Sequence, residues 1–367
     1  MDLEIHLPHE EDADLVLRCV KFLHPAATFA SVRPLGRYGY TESRLYLVYC
    51  APKNAGIPFV VKTDRPEIIR READGVTKLA VFFAGAQSAR IFPSADEPQA
   101  IIYPLVAVDR QETVQELREI VYQPAGSREG LPTPTELLRR TYQSCRNAHV
   151  TRPGSFSFGE EYREYLRDTD ERLLTDPLPA LFSDRSSVNI YGHALNDPRR
   201  ILERIKAWEI TSSVCPVHGD LHPNNVLFGP EFSPVLIDYA FGHPDGHFVK
   251  DFVLMECSLR FLLPPKLLQP DLIVEFDQLL LGEHGYEAAG QFPARGRTGD
   301  VIREMASLIE VIRQQCRICA PDYNFKEYLI AQYMVLLGNI RLLPYQDFRM
   351  LLALCRLADH LDSESLA

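Results

Sequence analysis

The sequence lacks the long apolar runs and the leader that would assign it to a membrane or a secreted protein. A membrane-spanning helix needs about 18 or more consecutive apolar residues. The most apolar segment near the C-terminus, residues 333–343, is interrupted by Asn339 and Arg341. The first residues are acidic, whereas a signal peptide begins with a basic region. We therefore expect no membrane contact through a spanning helix and no secretory leader.

The sequence also contains few cysteines, and its basic residues are fewer than its acidic ones. Eight cysteines in 367 residues are too few for a disulfide scaffold, which favours a reducing, cytoplasmic location. Cys316 and Cys319 form a C-x-x-C pair with no second pair, so we interpret them as residues of a helix face rather than as metal ligands. Acidic residues outnumber basic ones by 50 to 39, giving a net charge of −11. Binding to nucleic acid through bulk charge requires the opposite balance, and we expect no nucleic-acid partner.

What the sequence does contain is a change in hydrophobic periodicity near residue 110. Residues 1–25 predict an acidic, helical N-terminal extension. Residues 26–107 predict a small, mainly antiparallel β lobe, and residues 108–367 a larger helical lobe with a hairpin at 214–240. In the small lobe the predicted strands are 29–35, 44–49, 58–62, 79–83 and 100–108, and the predicted helix is 68–79. The fold class is therefore α+β.

The string His218-Gly219-Asp220-Leu221-His222-Pro223-Asn224-Asn225 is the most informative segment for chemistry. Asn225 begins one strand of the predicted hairpin and Asp238 ends the next, so their oxygen atoms are expected side by side. One or two protein oxygens are what Mg²⁺ takes when phosphates and water complete its coordination. Asp220 lies in the preceding loop, where its carboxylate can accept a proton from an attacking hydroxyl. We interpret His218 as structural.

The first part of the chain contains groups suited to phosphate. Lys62 ends an apolar strand, and Glu72 lies ten residues later on the following helix. A lysine at this position can reach the α- and β-phosphates of a nucleotide while the glutamate holds it in place. Gly36 and Gly39 lie in the turn between the first two strands, where glycines let backbone N–H groups approach phosphate. A simple hairpin turn explains these two glycines equally well.

In this order, the motifs resemble those of the aminoglycoside phosphotransferase and choline kinase branch of the protein-kinase-like superfamily. The tract at 246–256 is most similar to a bacterial phosphotransferase-like family named for ternary-complex-associated domains. The resemblance implies a two-lobed protein-kinase-like fold and transfer of the γ-phosphate of ATP to a hydroxyl of a small-molecule acceptor. It implies Asp220 as base, Asn225 and Asp238 as Mg²⁺ ligands, and Lys62 on the phosphates.

The sequence departs from the protein-kinase pattern at three points. The glycine turn has two glycines rather than three, Tyr239 and Ala240 follow Asp238 where protein kinases have Phe and Gly, and Gly219 replaces an arginine. That arginine reads phosphorylation of the activation loop in protein kinases, so regulation of this kind is not expected. The last two departures are usual in the small-molecule kinase branch.

Two alternatives follow from the same residues. Four histidines between 218 and 251, namely His218, His222, His243 and His247, suggest a metallohydrolase. However, no fixed ligand spacing such as H-E-x-x-H occurs, and this hypothesis leaves Lys62 and Glu72 unexplained.

The second alternative is a nucleotide-binding module without transferase activity that recruits a protein partner in a bacterial multi-component system. Because every polar position of the motifs is present, we favour an active phosphotransferase.

Overall fold

The chain is represented by a computed structural model that describes residues 12–35, 43–51, 58–93, 98–105, 114–123, 131–166, 176–183, 185–229, 231–262, 270–293, 296–342 and 348–363. The chain forms two compact units, and each is built from two separate segments. Unit 1 comprises Met1–His149 and Pro216–Pro244, and unit 2 comprises Val150–Cys215 and Asp245–Ala367.

Elements are numbered along the whole chain. Unit 1 contains helices α1 (Ala13–Leu23), α2 (Pro66–Leu79), α3 (Ala84–Ser88), α4 (Leu117–Tyr122) and α5 (Pro134–Ser144), and strands β1 (Phe29–Leu35), β2 (Arg44–Ala51), β3 (Phe59–Thr63), β4 (Arg90–Pro93), β5 (Pro98–Pro104), β6 (Gln115–Glu116), β11 (Val226–Phe228) and β12 (Pro234–Leu236). Unit 2 contains helices α6 (Phe158–Glu161), α7 (Arg163–Leu166), α8 (Pro177–Phe182), α9 (Leu202–Lys206), α10 (Lys250–Leu262), α11 (Pro270–Leu280), α12 (Gly285–Gly290), α13 (Gly296–Cys319), α14 (Phe325–Asn339) and α15 (Phe348–Ser363). Its strands are β7 (Arg152–Ser157), β8 (Ser187–Ile190), β9 (His193–Asn196), β10 (Glu209–Val217) and β13 (His243–His247), the last two of which cross a unit boundary.

Unit 1 is organised around a five-stranded antiparallel sheet with the order β1-β2-β3-β5-β4. Side chains alternate between the two faces of a strand. Val61 therefore faces a core that includes Val16 and Cys19 of α1. Lys62 points to the opposite face, where α2 buries apolar residues at helical spacing, such as Ile69 and Val76. The register of β3 against β5 pairs Lys62 with residue 101 and residue 60 with Tyr103, so Lys62 and Tyr103 share the α2 face.

A second sheet of unit 1 positions the segment that follows His218. Strands β11 and β12 form an antiparallel hairpin in which Val226 is opposite Leu236. The other edge of β11 pairs with β6. The strand before the hairpin, β10, belongs to a different sheet with the order β13-β10-β7. Within the predicted 214–240 region, the hairpin itself is thus β11 and β12.

Unit 2 is mainly helical, and its core contains buried charge as well as apolar side chains. Glu256 on α10 is inaccessible to solvent and accepts hydrogen bonds from Nε and Nη2 of Arg313, both at 3.0 Å. Tyr328 and Gln332 of α14 donate to the same carboxylate, at 2.8 and 2.9 Å. A buried carboxylate with this many donors is stabilised in its ionised form, which holds the pKa of Glu256 below its ordinary value although burial alone would raise it. The network joins α10, α13 and α14.

The predicted α+β class, with a small antiparallel sheet and a larger helical part, is confirmed. The first three strands and the following helix lie where the periodicity predicts them. The predicted strand at 79–83 is wrong, because α2 continues to Leu79 and a turn follows; the next strand is β4. The glycine turn with Gly36 and Gly39 lies outside the described residues. The boundary at 107 and 108 does too, and the proposed division into three regions stays a prediction.

In the part of the chain that the structure describes, no helix is both long enough and apolar enough to cross a membrane.

Candidate active site

The side chain of Lys62 lies between two carboxylates. Its Nζ is 2.7 Å from Oε2 of Glu72 and 2.6 Å from Oδ2 of Asp238. Burial alone would lower the pKa of Lys62, since the lysine side chain is only 2% exposed, but the two carboxylates outweigh this effect and raise it. The structure therefore brings together one residue from β3, one from α2 and one from the loop after β12, as a charged cluster within unit 1.

Glu72 forms a second link with a tyrosine that the sequence analysis does not identify. Burial raises the pKa of Glu72 to about 7, in spite of the opposing attraction of Lys62. The hydroxyl of Tyr103, on β5, donates to Oε1 of Glu72 and accepts a hydrogen bond from the backbone N–H of Asp238 at 3.2 Å. Recognising Tyr103 requires the register of β3 against β5, and no local motif in the sequence contains it.

Asp238 is held in an unusual backbone conformation. Its φ is +66°, in the left-handed region that few residues other than glycine adopt. Burial acts to raise the pKa of its carboxyl group, but the neighbouring Lys62 holds that pKa below its ordinary value. Helix α2 supports the loop directly, since Nε of Arg71 donates to the carbonyl of Ala240 at 2.9 Å. A Cβ on Gly75 would lie 1.9 Å from the carbonyl oxygen of Tyr239, so only glycine permits this close approach.

The imidazole of His218 connects the loop that carries Asp220 to the strand end that precedes Asp238. Its Nε2 is 2.9 Å from the carbonyl of Ile237, and its Nδ1 is 3.3 Å from the backbone nitrogen of Asp220. The first contact requires a donor and the second an acceptor, which assigns the proton to Nε2. Gly219 has a φ of +78°, and a Cβ there would lie 2.0 Å from the carbonyl oxygen of Phe241. Both ring nitrogens of His218 thus form hydrogen bonds with backbone atoms, as expected of a structural residue.

Asp220 projects a partly exposed carboxylate from this loop. Its side chain is 25% exposed. Burial of most of this side chain, together with the nearby charge of Asp238, raises the pKa of Asp220 above its ordinary value. Nε2 of His222 is 3.6 Å from Oδ2 of Asp220. Burial lowers the pKa of His222 to about 4, so this imidazole is neutral at pH 7.

Asn225 and Asp238 carry side-chain oxygens of the kind that bind Mg²⁺, and they lie at neighbouring strand ends. The side-chain Nδ2 of Asn225 donates to the carbonyl of Asp220 at 2.9 Å, which turns the amide oxygen away from that carbonyl. The backbone carbonyl of Asn225 accepts from the N–H of Ile237, so the residue lies beside the strand end that carries Asp238. Among the described residues, no group of three or more His, Cys, Asp or Glu side chains could hold a metal alone. One carboxylate and one amide suit a hard cation that is shared with phosphate.

The remaining histidines of the metallohydrolase hypothesis have other surroundings. His247 is buried in unit 2, where its Nδ1 is 2.9 Å from the hydroxyl of Tyr162 and its Nε2 is 3.6 Å from Glu327. His243 is exposed at the start of β13. The described histidines do not form a metal-ligand cluster with the aspartates.

Comparison with known proteins gives one family and several structural likenesses. A sequence profile described as ternary complex associated domain 9 matches residues 153–337, just over half of the chain. No curated protein matches the sequence. A choline kinase from Streptococcus pneumoniae is structurally similar, with 11% identity and a TM-score of 0.47, over 97% of this chain and 100% of that chain. A glucosamine kinase has 14% identity and a TM-score of 0.46, over 98% of this chain and 84% of that chain. A glucosamine kinase in complex with glucosamine, ADP and inorganic phosphate has 13% identity and a TM-score of 0.43, over 97% and 84%.

Proposed function

This chain belongs to the ternary complex associated domain 9 family, and we propose that it transfers the γ-phosphate of ATP, with Mg²⁺, to a hydroxyl group of a small-molecule acceptor. The observation that carries the proposal is the position of Lys62 between Glu72 and Asp238. A buried lysine fixed by one acid, and next to a second acid that can bind a cation, is the arrangement that phosphoryl transfer needs for its negatively charged substrate.

Each residue has a separate task in the proposed reaction. Lys62 binds the α- and β-phosphates, and Glu72 holds the lysine in position. Asn225 and Asp238 would hold Mg²⁺, which neutralises phosphate charge when it is bound. The backbone N–H groups around Gly36 and Gly39 are proposed to contact phosphate. None of these residues exchanges a proton with the acceptor.

Asp220 is proposed as the base. The acceptor hydroxyl oxygen forms the new bond to the γ-phosphorus, the bond from that phosphorus to the oxygen of ADP breaks, and the hydroxyl proton passes to Asp220. His218 fixes the loop that carries this carboxylate. Because burial and the nearby Asp238 raise the pKa of Asp220, its carboxylate is a better proton acceptor than an ordinary aspartate. Proton transfer and phosphate binding are therefore assigned to different residues.

The proposal predicts different effects for Asp220→Asn and Lys62→Ala. Asp220→Asn should keep Mg²⁺-dependent ATP binding and lower the rate of ATP hydrolysis by about 10²–10⁴-fold, because only the base is lost. Lys62→Ala should weaken ATP binding itself, because the lysine meets the phosphates. Binding is measured by calorimetry, and hydrolysis by phosphate release with water as the acceptor.

The exposed residues Asp74 and Lys78 of α2 supply matched controls. Asp74→Asn and Lys78→Ala make the same chemical changes outside the cluster and should leave binding and hydrolysis as in the wild type. If the wild type binds ATP with Mg²⁺ and Asp220→Asn changes neither binding nor hydrolysis, the transferase proposal is wrong. The partner-recruiting module is then the better hypothesis.

A further inference from the structure

We infer that Tyr103 is a positioning residue that holds the proposed metal ligand Asp238 in place through its backbone. The inference rests on the proposed function, since it concerns how the same site binds Mg²⁺ and nucleotide. Tyr103 belongs neither to the segment 218–238, which carries Asp220, Asn225 and Asp238, nor to the pair Lys62 and Glu72.

Tyr103 is buried on the face of the sheet that carries Lys62. A buried tyrosine hydroxyl normally finds a polar partner, and this one has two. It donates its single proton to Glu72 and accepts from the N–H of Asp238 through a lone pair. The tyrosine ring also lies 6.2 Å from the ring of Tyr239, measured between centroids. The same side chain therefore contacts α2 and two consecutive residues of the loop after β12.

The hydrogen bond to Asp238 matters because of the conformation of that residue. A non-glycine residue with a φ of +66° is stable only where its surroundings hold it. The N–H of Asp238 lies beyond the β11–β12 ladder, which ends at Leu236. Tyr103 supplies an acceptor for this N–H from outside the ladder. Without the hydroxyl, the partly buried N–H loses this partner and the carboxylate is less firmly placed.

The two bonds also couple the position of Lys62 to that of Asp238. Glu72 contacts Lys62 through Oε2 and Tyr103 through Oε1. Lys62 contacts Asp238 directly, so the four residues form a closed ring of interactions. Replacing the tyrosine by phenylalanine keeps the aromatic ring. It removes only the hydroxyl oxygen through which Tyr103 links Glu72 to Asp238. The variant thus tests the hydroxyl rather than the packing of the side chain.

Tyr46 provides a matched control on the same sheet. It is also buried, and its hydroxyl donates to a carboxylate, Oδ2 of Asp12, at 2.5 Å. Tyr46 is opposite Val61 in the register and belongs to the core under α1, on the other face of the sheet. Tyr46→Phe therefore removes a comparable hydrogen bond without touching the proposed site.

The experiment compares the full-length wild type, Tyr103→Phe and Tyr46→Phe in two measurements. In the first, amide hydrogen exchange is followed by mass spectrometry without ligand. We expect the peptide that contains Asp238 to exchange faster in Tyr103→Phe only. In the second, ATP binding is titrated with Mg²⁺. The Mg²⁺ concentration at half-maximal binding should rise about tenfold in Tyr103→Phe, while ATP affinity in chelator stays within about twofold of the wild type.

Each outcome decides the inference. Unchanged exchange at the Asp238 peptide in Tyr103→Phe overturns it. Equal losses of ATP affinity with and without Mg²⁺ also overturn it, because a tyrosine that only stabilises the fold would lower both. If the wild type binds no nucleotide, the proposed function fails, and the exchange measurement alone decides whether Tyr103 holds Asp238. Thermal unfolding of the three proteins shows whether the phenylalanine variants are folded at the temperature used.

Discussion

At the scale of single residues, Glu72 is predicted to make stability depend on pH. Its pKa is about 7 in the folded chain, whereas an ordinary glutamate has a pKa of 4.5. Between these values the folded protein keeps a proton that the unfolded chain releases, so the free energy of unfolding should fall as pH rises from about 4.5 to about 7. At 1.36 kcal/mol per pKa unit, the loss is about 3 kcal/mol.

The variant Glu72→Gln isolates this effect, because glutamine cannot ionise. Relative to the wild type, its free energy of unfolding should gain about 3 kcal/mol between about pH 4.5 and about pH 7. Urea unfolding at several pH values measures the difference. Glu67→Gln is the control, since Glu67 lies on the same helix with 61% of its side chain exposed. Parallel stability curves for the wild type and Glu72→Gln would show that the raised pKa is wrong.

The residues that the sequence identifies and those that it misses differ in how they interact. Lys62, Glu72 and Asp238 were predicted from short motifs, and the structure places them in contact. Their roles in binding stay predictions. Tyr103 and Arg71 were missed because both act on backbone atoms of a segment more than 130 residues further along the chain, at Asp238 and Ala240. A backbone atom has no side-chain signature, so the sequence contains no pattern that would reveal such a contact.

At the scale of secondary structure, the close approach of α2 to the Asp238 loop depends on Gly75. In an exposed helix, Gly→Ala usually stabilises by about 0.5–1 kcal/mol. Here the added Cβ would lie 1.9 Å from the carbonyl oxygen of Tyr239, so the loop must move. We therefore expect Gly75→Ala to lower the free energy of unfolding, by about 1–3 kcal/mol as overpacking commonly does, and to weaken Mg²⁺-dependent ATP binding.

A second helical glycine serves as the control. Gly290, the last residue of α12, has no atom within 4 Å of an added Cβ. Gly290→Ala should therefore leave stability unchanged or raise it slightly. Both variants are compared with the wild type by urea unfolding and by calorimetry with ATP. Equal stability of Gly75→Ala and Gly290→Ala would contradict the close packing of α2 on the loop.

The elements themselves were predicted well where periodicity is regular and poorly where it is short. Strands β1 to β3 and helix α2 have alternating or helical patterns, and their positions agree with the structure. Residues 79–83 are a short apolar run that also fits the end of a buried helix, and Val81 is in fact 83% exposed in a turn. Strand β4 was missed because it has only four residues and ends in a proline. Runs of this length do not distinguish a strand from a turn.

At the scale of the whole molecule, the candidate site is assembled from two distant parts of the chain within unit 1. The first segment, Met1–His149, supplies Lys62, Glu72 and Tyr103, and the second, Pro216–Pro244, supplies Asp220, Asn225 and Asp238. The segment that matches the family, 153–337, contains the second part and none of the first. The residues that match the family therefore do not coincide with unit 1, which carries the candidate site. A fragment that lacks the first segment tests whether the second segment folds without it.

In a fragment of residues 150–367, the segment 216–244 should fail to fold. In the full chain, β11 pairs with β6, and the ring of Tyr239 packs 5.8 Å from that of Phe83, both supplied by the missing part. Without those partners, the hairpin would expose buried apolar side chains, namely Val226, Leu227, Phe228, Leu236, Ile237 and Tyr239. An exposed apolar hairpin with an unpaired strand edge is unstable in water.

Limited proteolysis under native conditions measures whether the segment 216–244 is folded in the fragment, with the full-length chain as the control. We expect cleavage within 216–244 in the fragment and protection of the same residues in the full chain, since proteolysis of an open segment follows the population of its open form. The fragment should also bind no ATP, because it lacks Lys62, and adding residues 1–149 as a separate chain should restore part of the protection. Protection of 216–244 in the fragment alone would contradict the assembly of unit 1 from two segments. In that case the β11–β12 hairpin would be stable without β6 and Phe83.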